Sequence, residues 1–525
     1  MLDLIYLGLI LTIFNDKYIS METHILSLDR YTLIQLRDIV EQRQRLELSP
    51  EVASRIEAGA EFVQRRARQD EYIYGVNTGF GSLCETRVKP EQVEALQYNH
   101  IVSHACGVGE PVSERCSRLV LLIKLLTFRS GHTGVSLQTV QRLIDYWNHG
   151  VIPAIPKKGT VGASGDLAPL AHMSLPLLGL GQVYMDGKVV PARAAMDRYD
   201  WTPLHLKAKE GLALTNGVQY INAIASECLL DMGEMLAAAD LIAALSIQAF
   251  SGSQTFYHAR YHETSHHMER RRVAARLRSL LQGSNHHQLS TCNQSKQDPY
   301  SFRCIPQVHG AVLQVYDNAL RIIEDEINGV SDNPLFFPEE DLILFGGNLH
   351  GESTAMQMDF LCVAASELSN ISERRTYQLL SGQRGLPSFL IREPGINSGM
   401  MVPQYTSAAL VNQSKALCFP ASADTIPTCQ LQEDHVSMGG TSGYKLQEIL
   451  DNTRIVLSIE LMTAAQAAEL NQELTLSGVT EDLLKQFRTV VAHLGDDRVM
   501  SDDIDASTRF VSDHLRLWFE THGAV

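Results

Sequence analysis

Apolar positions in the second half of the chain follow the spacing of long helices. After Gly211 they recur every three or four residues in the runs INAIASECLLDMGEMLAAADLIAAL, VYDNALRIIEDEI, FLCVAASELSNISERRTYQLL and LQEILDNTRIVLSIELMTAAQAAEL. Similar spacing from Tyr31 to Arg68 predicts helical structure there as well. We predict a mostly α protein, with an N-terminal domain at 21–220 followed by a long central helix bundle and C-terminal helices at 221–525. Helices this apolar need partners, so we expect an oligomer.

Two glycine-rich segments and one hairpin interrupt the helical pattern. The first segment, YGVNTGFGSL, covers 74–83, and the second covers 153–165. The alternating run GQVYMDGKVV predicts a β-hairpin that turns at Asp186-Gly187.

The composition allows a large buried core and argues against nucleic acid as a partner. Of the 525 residues, 45% are hydrophobic and 20% are charged, and the formal net charge is -16. An acidic surface repels a phosphate backbone. The nine cysteines include no C-x-x-C pair, which is typical of reduced thiols in a reducing compartment.

One interpretation of the apolar stretch MLDLIYLGLILTIF at 1–14 is a signal peptide or a membrane anchor. Asp3 precedes the first basic residue, Lys17, no small-residue cleavage site follows, and the stretch is too short to span a bilayer as a helix. A sequence typical of a soluble protein begins at Met21. We interpret residues 1–20 as a start-site extension outside the fold, and we expect a cytoplasmic protein with no membrane partner.

The segment GTVGASGDLAPLAH at 159–172 contains three small residues that can form an electrophile. A turn this free of side-chain bulk can bring the nitrogen of Gly165 to the carbonyl carbon of Ala163. Ring closure and loss of water, including the Ser164 hydroxyl, would leave an alkene conjugated to a five-membered ring, which no ordinary side chain offers. The alternative is a plain Gly-Ser loop in which Asp166 caps the next helix.

The stretch GASGDLAPLAH resembles the signature of the aromatic amino acid ammonia-lyase family, whose members form 4-methylideneimidazole-5-one (MIO) from Ala-Ser-Gly. The similarity runs from Met21 over nearly the whole chain, in the family's order, through YGVNTGFGSL, SHACGVGEP, KEGLALTNG, QDPYSFRCIPQVHG, SDNPLFF, GGNLHGE, SERRTYQLL and QEDHVSMG. It implies an aspartase/fumarase-like superhelical fold. It also implies an MIO made autocatalytically from Ala163-Ser164-Gly165 in the N-terminal domain, and no metal.

The resemblance also implies roles for individual residues. Tyr74 matches the general base, on a loop that can act as a lid, although a phenol needs a lowered pKa to act near neutral pH. Arg303 matches the arginine that pairs with the substrate carboxylate. Gln297 and Tyr300 match residues that line the site and polarise the cofactor, and Asn216 matches an asparagine beside the cofactor. In related enzymes these groups come from different subunits, which implies a homotetramer with composite sites.

Three features resemble the histidine-specific members of the family. The pair Ser103-His104 is found in them, although some bacterial tyrosine lyases and aminomutases share it. Glu433 stands where phenylalanine and tyrosine members have glutamine. A carboxylate can accept a hydrogen bond from an imidazole N–H, whereas beside a phenyl ring it would be buried unpaired at a cost of roughly several kcal/mol. Met401 also matches the histidine-specific members. The structural alternative for Glu433 is a carboxylate at a helix N-terminus.

Five positions near these motifs depart from the family pattern. Leu349 replaces an aromatic residue that packs beside the cofactor, and Leu431 stands where histidine-specific members usually have asparagine. Thr215 and Val218 change the usual LLNGTQ to LTNGVQ, and Lys296 precedes QDPY where valine is common. These changes leave the MIO chemistry intact and keep the choice of substrate open.

The expected activity is therefore the non-oxidative deamination of L-histidine, a small amino acid substrate, to trans-urocanate and ammonia in histidine degradation. Tyrosine or phenylalanine ammonia-lyase activity, or 2,3-aminomutase activity, remains open on the same scaffold. A third alternative is a catalytically silent helical scaffold.

Several histidines cluster in a polar region without completing a metal site. They are His258, His262, His266, His267, His286 and His287. The first three have i, i+4, i+8 spacing, but no cysteine or carboxylate pattern accompanies them. We expect no metal there.

Overall fold

Helices make up most of the described chain, which confirms the predicted mostly-α fold. The computed structural model describes residues 22–69, 71–162, 164–289 and 297–515. The interpreted extension at 1–20, together with Ala163 and Lys296, lies outside these ranges. Among the described helices, none combines the length and the apolar character that a bilayer crossing requires.

The described residues divide into two compact units. The first contains those up to Ala223, together with Glu324–His350 and Pro427–His435. The second contains Ile224–Ile323, Gly351–Ile426 and the described residues from Val436 onward. The predicted domain division between 220 and 221 stays a prediction.

The first unit combines short helices with small sheets. Its helices are α1 (Leu33–Glu41), α2 (Pro50–Ala67), α3 (Val93–His104), α4 (Glu114–Phe128), α5 (Leu137–Asn148), α6 (Leu167–Ser174), α7 (Ala192–Tyr199) and α8 (Glu210–Thr215). Its strands are β1 (Thr23–Leu26), β2 (Arg45–Leu48), β3 (Val108–Pro111), β4 (Ile152–Pro153), β5 (Pro156–Lys158), β6 (Gln182–Met185), β7 (Lys188–Pro191), β8 (Leu335–Phe337) and β9 (Leu342–Leu344). β1 and β2 are parallel, whereas β3–β5, β4–β6–β7 and β8–β9 are antiparallel.

The remaining helices include the four long ones that the apolar runs predict. They are α9 (Gln219–Ala249), α10 (Ala259–Glu263), α11 (Met268–Leu280), α12 (His286–Leu289), α13 (Tyr300–Arg303), α14 (Ile305–Asn328), α15 (Glu352–Leu380), α16 (Met401–Leu417), α17 (Gly439–Leu470), α18 (Gly478–Phe487) and α19 (Met500–Arg509). The four predicted runs fall within α9, α14, α15 and α17, so that prediction is confirmed.

The helical pattern predicted from Tyr31 to Arg68 corresponds to two helices, α1 and α2, which are separated by β2. The break follows from local chemistry. Pro50 cannot continue a preceding helix, but it suits the first position of a new one. The Ser49 hydroxyl accepts the N–H of Val52 (3.2 Å) and so caps α2.

The hairpin predicted at Asp186-Gly187 is confirmed. β6 and β7 pair antiparallel on either side of these two residues. Asp186 (φ 51°) and Gly187 (φ 73°) both have positive φ, as a two-residue turn of type I′ requires.

The core of the second unit forms where α15 packs along α17, and it contains a fully buried ion pair. Arg375 donates from Nε and Nη2 to the two carboxylate oxygens of Glu460, at 2.6 and 2.8 Å. The hydroxyls of Ser246 and Ser372 also donate to Glu460, each at 2.6 Å. Such a pair is stable only while both charges are present, because either one alone would be buried without compensation.

We expect Glu460→Gln to lower the free energy of unfolding by about 3–5 kcal/mol, because it leaves the Arg375 guanidinium without a counter-charge. Chemical denaturation measures this change. The control is Asp197→Asn, which removes one charge from the exposed Arg193–Asp197 pair (2.9 Å) and should change the free energy by less than about 0.5 kcal/mol. Equal effects in the two variants would contradict the structural role of the buried pair.

Candidate active site

Three helices of the first unit, α3, α6 and α8, pack against one another and bring together the ends that carry the predicted site. His104 is the last residue of α3, Ser164 and Gly165 lie just before Asp166 and α6, and Asn216 follows α8. The predicted residues of the first unit therefore meet because short helices end at one place.

The described residues 162, 164 and 165, which form the tight turn before α6, have left-handed backbone conformations. Gly162 (φ 71°), Ser164 (φ 49°) and Gly165 (φ 78°) all have positive φ, while Ala163 lies outside the described residues. Positive φ is rare for a residue with a side chain, so the conformation of Ser164 is strained. A strained backbone conformation persists only where surrounding contacts stabilise it. At Ser164 the stabilising contact is made by Gly217.

Gly165 lies directly against the backbone of Gly217. The Asp166 N–H donates to the Gly217 carbonyl (2.7 Å), and the Gly217 N–H donates to the Ser164 carbonyl (3.4 Å). A Cβ on Gly165 would lie 2.0 Å from the Gly217 oxygen, and one on Gly217 would lie 2.2 Å from the Ser331 oxygen. Both positions therefore require glycine.

Asp166 does not cap the helix that follows it, so the plain capping alternative is wrong. Its fully buried carboxylate instead accepts the N–H of Ile221 (2.9 Å) and the hydroxyl of Thr160 (3.0 Å). Burial raises the pKa of Asp166 to about 7, even though these hydrogen bonds act in the opposite direction. The carboxyl thus joins the loop before α6 to the start of α9.

The Tyr74 hydroxyl accepts the N–H of Gly81 (3.2 Å) from the same glycine-rich loop. Burial raises the pKa of Tyr74, nearby Glu433 and Cys429 raise it further, and the Gly81 hydrogen bond partly offsets them. This direction is opposite to the lowered pKa that a base role near neutral pH requires. Positive charge near the phenol is therefore needed for that role.

Glu433 points toward Ser164 rather than sitting at a helix N-terminus, since α17 begins only at Gly439. The Ser164 hydroxyl donates to one carboxylate oxygen of Glu433 (2.5 Å), and the Thr428 hydroxyl donates to the other (2.6 Å). The carboxylate is thus held in a defined direction beside the tight turn.

The two histidines of α3 present neutral rings. His104 Nδ1 lies 2.6 Å from the His100 carbonyl, which can only accept, so Nδ1 carries the hydrogen and Nε2 is left as an acceptor. The Thr215 hydroxyl donates to the Gly211 carbonyl (3.0 Å), so it accepts from His100 Nε2 (2.8 Å). Burial lowers the pKa of both histidines, and that of His100 lies well below its ordinary value.

Sequence reasoning missed His100, which is buried between the rings of Phe80 and His104 at centroid distances of 4.0 and 3.9 Å. The sequence could have indicated His100, because it lies one helical turn before His104 and therefore on the same face of the helix. The structure also gives a reason for threonine at 215, since its hydroxyl is the hydrogen-bond partner of His100.

Two adjoining cavities open beside these groups, and Tyr74, Gly81, Ser164 and Glu433 line both. The first has a volume of about 450 Å³ and is also lined by Ser103 and His104. The second has a volume of about 420 Å³ and is also lined by Leu349. Volumes of this size accommodate a small amino acid.

Asn216 is buried beside the turn, and its side-chain Oδ1 has no hydrogen-bond partner within the described part of the chain. Its carbonyl accepts from Lys124 Nζ (2.7 Å). An unpartnered buried oxygen is costly unless another group completes the site.

The other predicted residues, Gln297, Tyr300, Arg303 and Met401, belong to the second unit. There the guanidinium of Arg303 lies over the Tyr300 ring at 4.2 Å, and its Nε donates to the Asp298 carbonyl (3.0 Å). Tyr300 is 69% exposed and Gln297 is exposed, while Met401 is half-buried at the start of α16. Their participation in one site with the residues above stays a prediction.

Comparisons with known proteins find one family along the chain. Residues 31–489 match the family described as "Aromatic amino acid lyase". A histidine ammonia-lyase from Symbiobacterium thermophilum is 41% identical over 91% of this chain and 95% of its own, and one from Aromatoleum aromaticum is 44% identical over 90% of each.

Solved structures agree with these matches. Histidine ammonia-lyase from Trypanosoma cruzi superposes with a TM-score of 0.88 at 36% identity, covering 96% of each chain. Tyrosine aminomutase from Streptomyces globisporus superposes with a TM-score of 0.90 at 32% identity, covering 95% of this chain and 99% of its own. The same backbone thus occurs in proteins with two different reaction names.

We expect Gly217→Ala to lower the thermal unfolding midpoint and the yield of folded protein, because its Cβ would meet the Ser331 carbonyl at 2.2 Å. Gly395→Ala is the matched control. Gly395 has nearly the same φ (109° against 105°), but a Cβ there meets nothing within 4 Å. Differential scanning fluorimetry compares the two variants. Similar losses in both would mean that positive φ alone, and not the close backbone approach, requires glycine at 217.

Proposed function

This chain belongs to the aromatic amino acid lyase family, and we propose that it deaminates L-histidine to trans-urocanate and ammonia, the reaction of a histidine ammonia-lyase. The observation that carries the choice of substrate is the position of Glu433. Its carboxylate lines the cavities beside Ser164, where an imidazole N–H can donate to it and a phenyl ring cannot. The names of the relatives support the same substrate.

The residues around 164 fit an MIO formed from Ala163, Ser164 and Gly165. The left-handed turn, the glycine contact with Gly217 and the unpartnered Asn216 Oδ1 are the supporting observations. In forming the ring, the Gly165 nitrogen bonds to the Ala163 carbonyl carbon. The Ala163 oxygen leaves as water with the amide hydrogens of 164 and 165, and the Ser164 hydroxyl leaves as water with its α-hydrogen. The group supplies an electrophilic alkene that engages the substrate amine.

Tyr74 is the base that takes the β-proton in this proposal. Burial raises its pKa, so the phenol needs a neighbouring positive charge to ionise near neutral pH. The α-ammonium group of the substrate provides such a charge when it enters the cavity. The Gly81 N–H, which donates to the phenolic oxygen, also lowers the pKa of Tyr74 and so favours the ionised phenolate.

In this proposal the ring of the substrate lies beside two hydrogen-bond acceptors. Glu433 is a carboxylate, and the neutral His104 offers the lone pair of Nε2. An imidazole with an N–H donor complements these groups, whereas a phenyl ring leaves them unpaired. Ser103 lines the same cavity and completes the ring pocket.

We further propose a cytoplasmic homotetramer in which Arg303, Tyr300, Gln297 and Met401 of another subunit complete each site. Arg303 suits the substrate carboxylate because a guanidinium fork binds a carboxylate in a bidentate manner. The exposure of Tyr300 and Gln297 supports this arrangement, since residues that meet a partner subunit are exposed in one chain alone.

A tyrosine 2,3-aminomutase is the second candidate. Leu349 lines the second cavity at the place where an aromatic residue is expected, and a tyrosine aminomutase shares the backbone. A mutase returns an isomer with the mass of its substrate, so product mass spectra from a panel of histidine, tyrosine and phenylalanine distinguish the two reactions.

We expect the intact mass of the wild-type chain to be lower than its sequence mass by two waters, and L-histidine to yield urocanate absorbance. Ser164→Ala should retain both waters and produce no urocanate, because it lacks the hydroxyl that leaves. Ser103→Ala, a cavity serine outside the ring, should still lose two waters. A wild-type chain with its full sequence mass would leave only the catalytically silent scaffold.

We expect Glu433→Gln to lower kcat/KM for L-histidine about ten- to a hundredfold, because it replaces a charged acceptor by a neutral one. The ratio of phenylalanine or tyrosine turnover to histidine turnover should rise at the same time. The exposed control Glu393→Gln should leave both unchanged. If Glu433→Gln keeps the wild-type substrate ratio, Glu433 does not select the ring.

A further inference from the structure

Lys124 of α4 is fully buried, yet its ammonium group contacts only neutral acceptors. Nζ donates to the carbonyl of Asn216 (2.7 Å) and to Oε1 of Gln219 (3.3 Å). Lys209, which is also fully buried in this unit, pairs with the carboxylate of Asp332 at 2.7 Å. A buried ammonium group without a directly bonded carboxylate is costly, so its retention calls for a role beyond packing.

The carbonyl that Lys124 binds belongs to the peptide that meets the tight turn. The Asn216–Gly217 peptide accepts from Lys124 at its oxygen and donates from its N–H to the Ser164 carbonyl (3.4 Å). Hydrogen bonds in such a chain polarise one another, and more strongly where water is excluded. The charge on Lys124 therefore acts on the Ser164 carbonyl through a single intervening peptide.

The electrostatic surroundings agree with this arrangement. Burial lowers the pKa of Lys124 to about 7, and Lys209 lowers it as well, whereas Asp332 and Asp166 raise it. Lys124 still donates to Asn216 in either protonation state, but only the ammonium form adds a full charge to the hydrogen-bond chain.

We propose that Lys124 is a positioning residue for ring formation, fixing and polarising the Asn216–Gly217 peptide so that its N–H withdraws electrons from the Ser164 carbonyl. This inference rests on the proposed function, since it presumes that residues 163–165 cyclise. Electron withdrawal at that carbonyl makes the Ser164 α-hydrogen more acidic. That hydrogen must leave together with the Ser164 hydroxyl as the second water.

The same contact has a consequence in the mature protein. The Ser164 carbonyl becomes part of the conjugated ring, so a donor that polarises it shifts the absorption band of that ring to longer wavelength. A lysine that only fills space would leave this band where it is. The band position therefore separates a polarising role from a purely structural one.

The test compares wild type with Lys124→Met, which removes the donor and the charge, and with Lys124→Arg, which keeps both. Thr127→Val is the matched control, because Thr127 is a buried polar residue one turn along α4 that binds Gln219 and not Asn216. Intact mass of freshly synthesised chains over time gives the rate of water loss. Ultraviolet absorption of the mature fraction gives the band position.

We expect Lys124→Met to lose the second water at least about tenfold more slowly than wild type and to have its band at shorter wavelength. Lys124→Arg and Thr127→Val should resemble wild type in both measurements. Wild-type rate and band position in Lys124→Met would overturn the inference.

Two further comparisons keep the outcome decisive. Should Lys124→Met fail to fold, Lys124→Gln takes its place, because a neutral amide cannot supply the charge, and wild-type behaviour in that variant would equally overturn the inference. A wild-type chain that never loses water would overturn the proposed function itself. Normal wild-type maturation with unaffected Lys124 variants would overturn only the role of Lys124.

Discussion

The backbone contact between Gly165 and Gly217 is the constraint on which the candidate site depends. A Cβ on either residue would collide with backbone atoms at 2.0 or 2.2 Å, so no side chain separates the two segments. The contact holds Ser164 in its left-handed conformation and directs its hydroxyl toward Glu433. The packing of α6 against α8 maintains it, because these helices begin and end beside the two glycines. The strain of the turn is thus balanced by ordinary helix packing.

Buried charge surrounds this contact, and its organisation differs from that in the second unit. Arg375 and Glu460 form a bidentate buried pair, which serves stability. Near the turn, by contrast, Asp166 and Lys124 bind backbone groups on the two sides of the 216–221 segment and do not pair with each other in a direct hydrogen bond. Charges bonded to backbone amides and carbonyls fix the position of the main chain. The proposed ring formation joins backbone atoms, so it requires a main chain fixed in this way.

The elements that follow from local chemistry were predictable from the sequence. Apolar spacing located α9, α14, α15 and α17, and the Asp-Gly pair located the hairpin. Family motifs pointed to Ser164, His104 and Glu433, which line one cavity. Lys124 lies in the apolar run VLLIKLLTF, and nothing in that run tells a fully buried lysine from one that reaches solvent. The rise in the pKa of Tyr74 was equally hidden, because it depends on burial and on Glu433 far along the chain.

The loop that carries Glu433 shows how a departure in sequence can act through the backbone. Cys429, Gln430 and Leu431 have φ values of 48°, 54° and 69°, a conformation that asparagine tolerates better than leucine. The bond from the Thr428 N–H to the Glu433 carbonyl (2.9 Å) closes this strained turn and aims the carboxylate into the cavities. Leu431 is 71% exposed and is not among the residues that line either cavity. Its departure from asparagine therefore concerns the loop backbone, whereas Leu349 is a departure that lines a cavity.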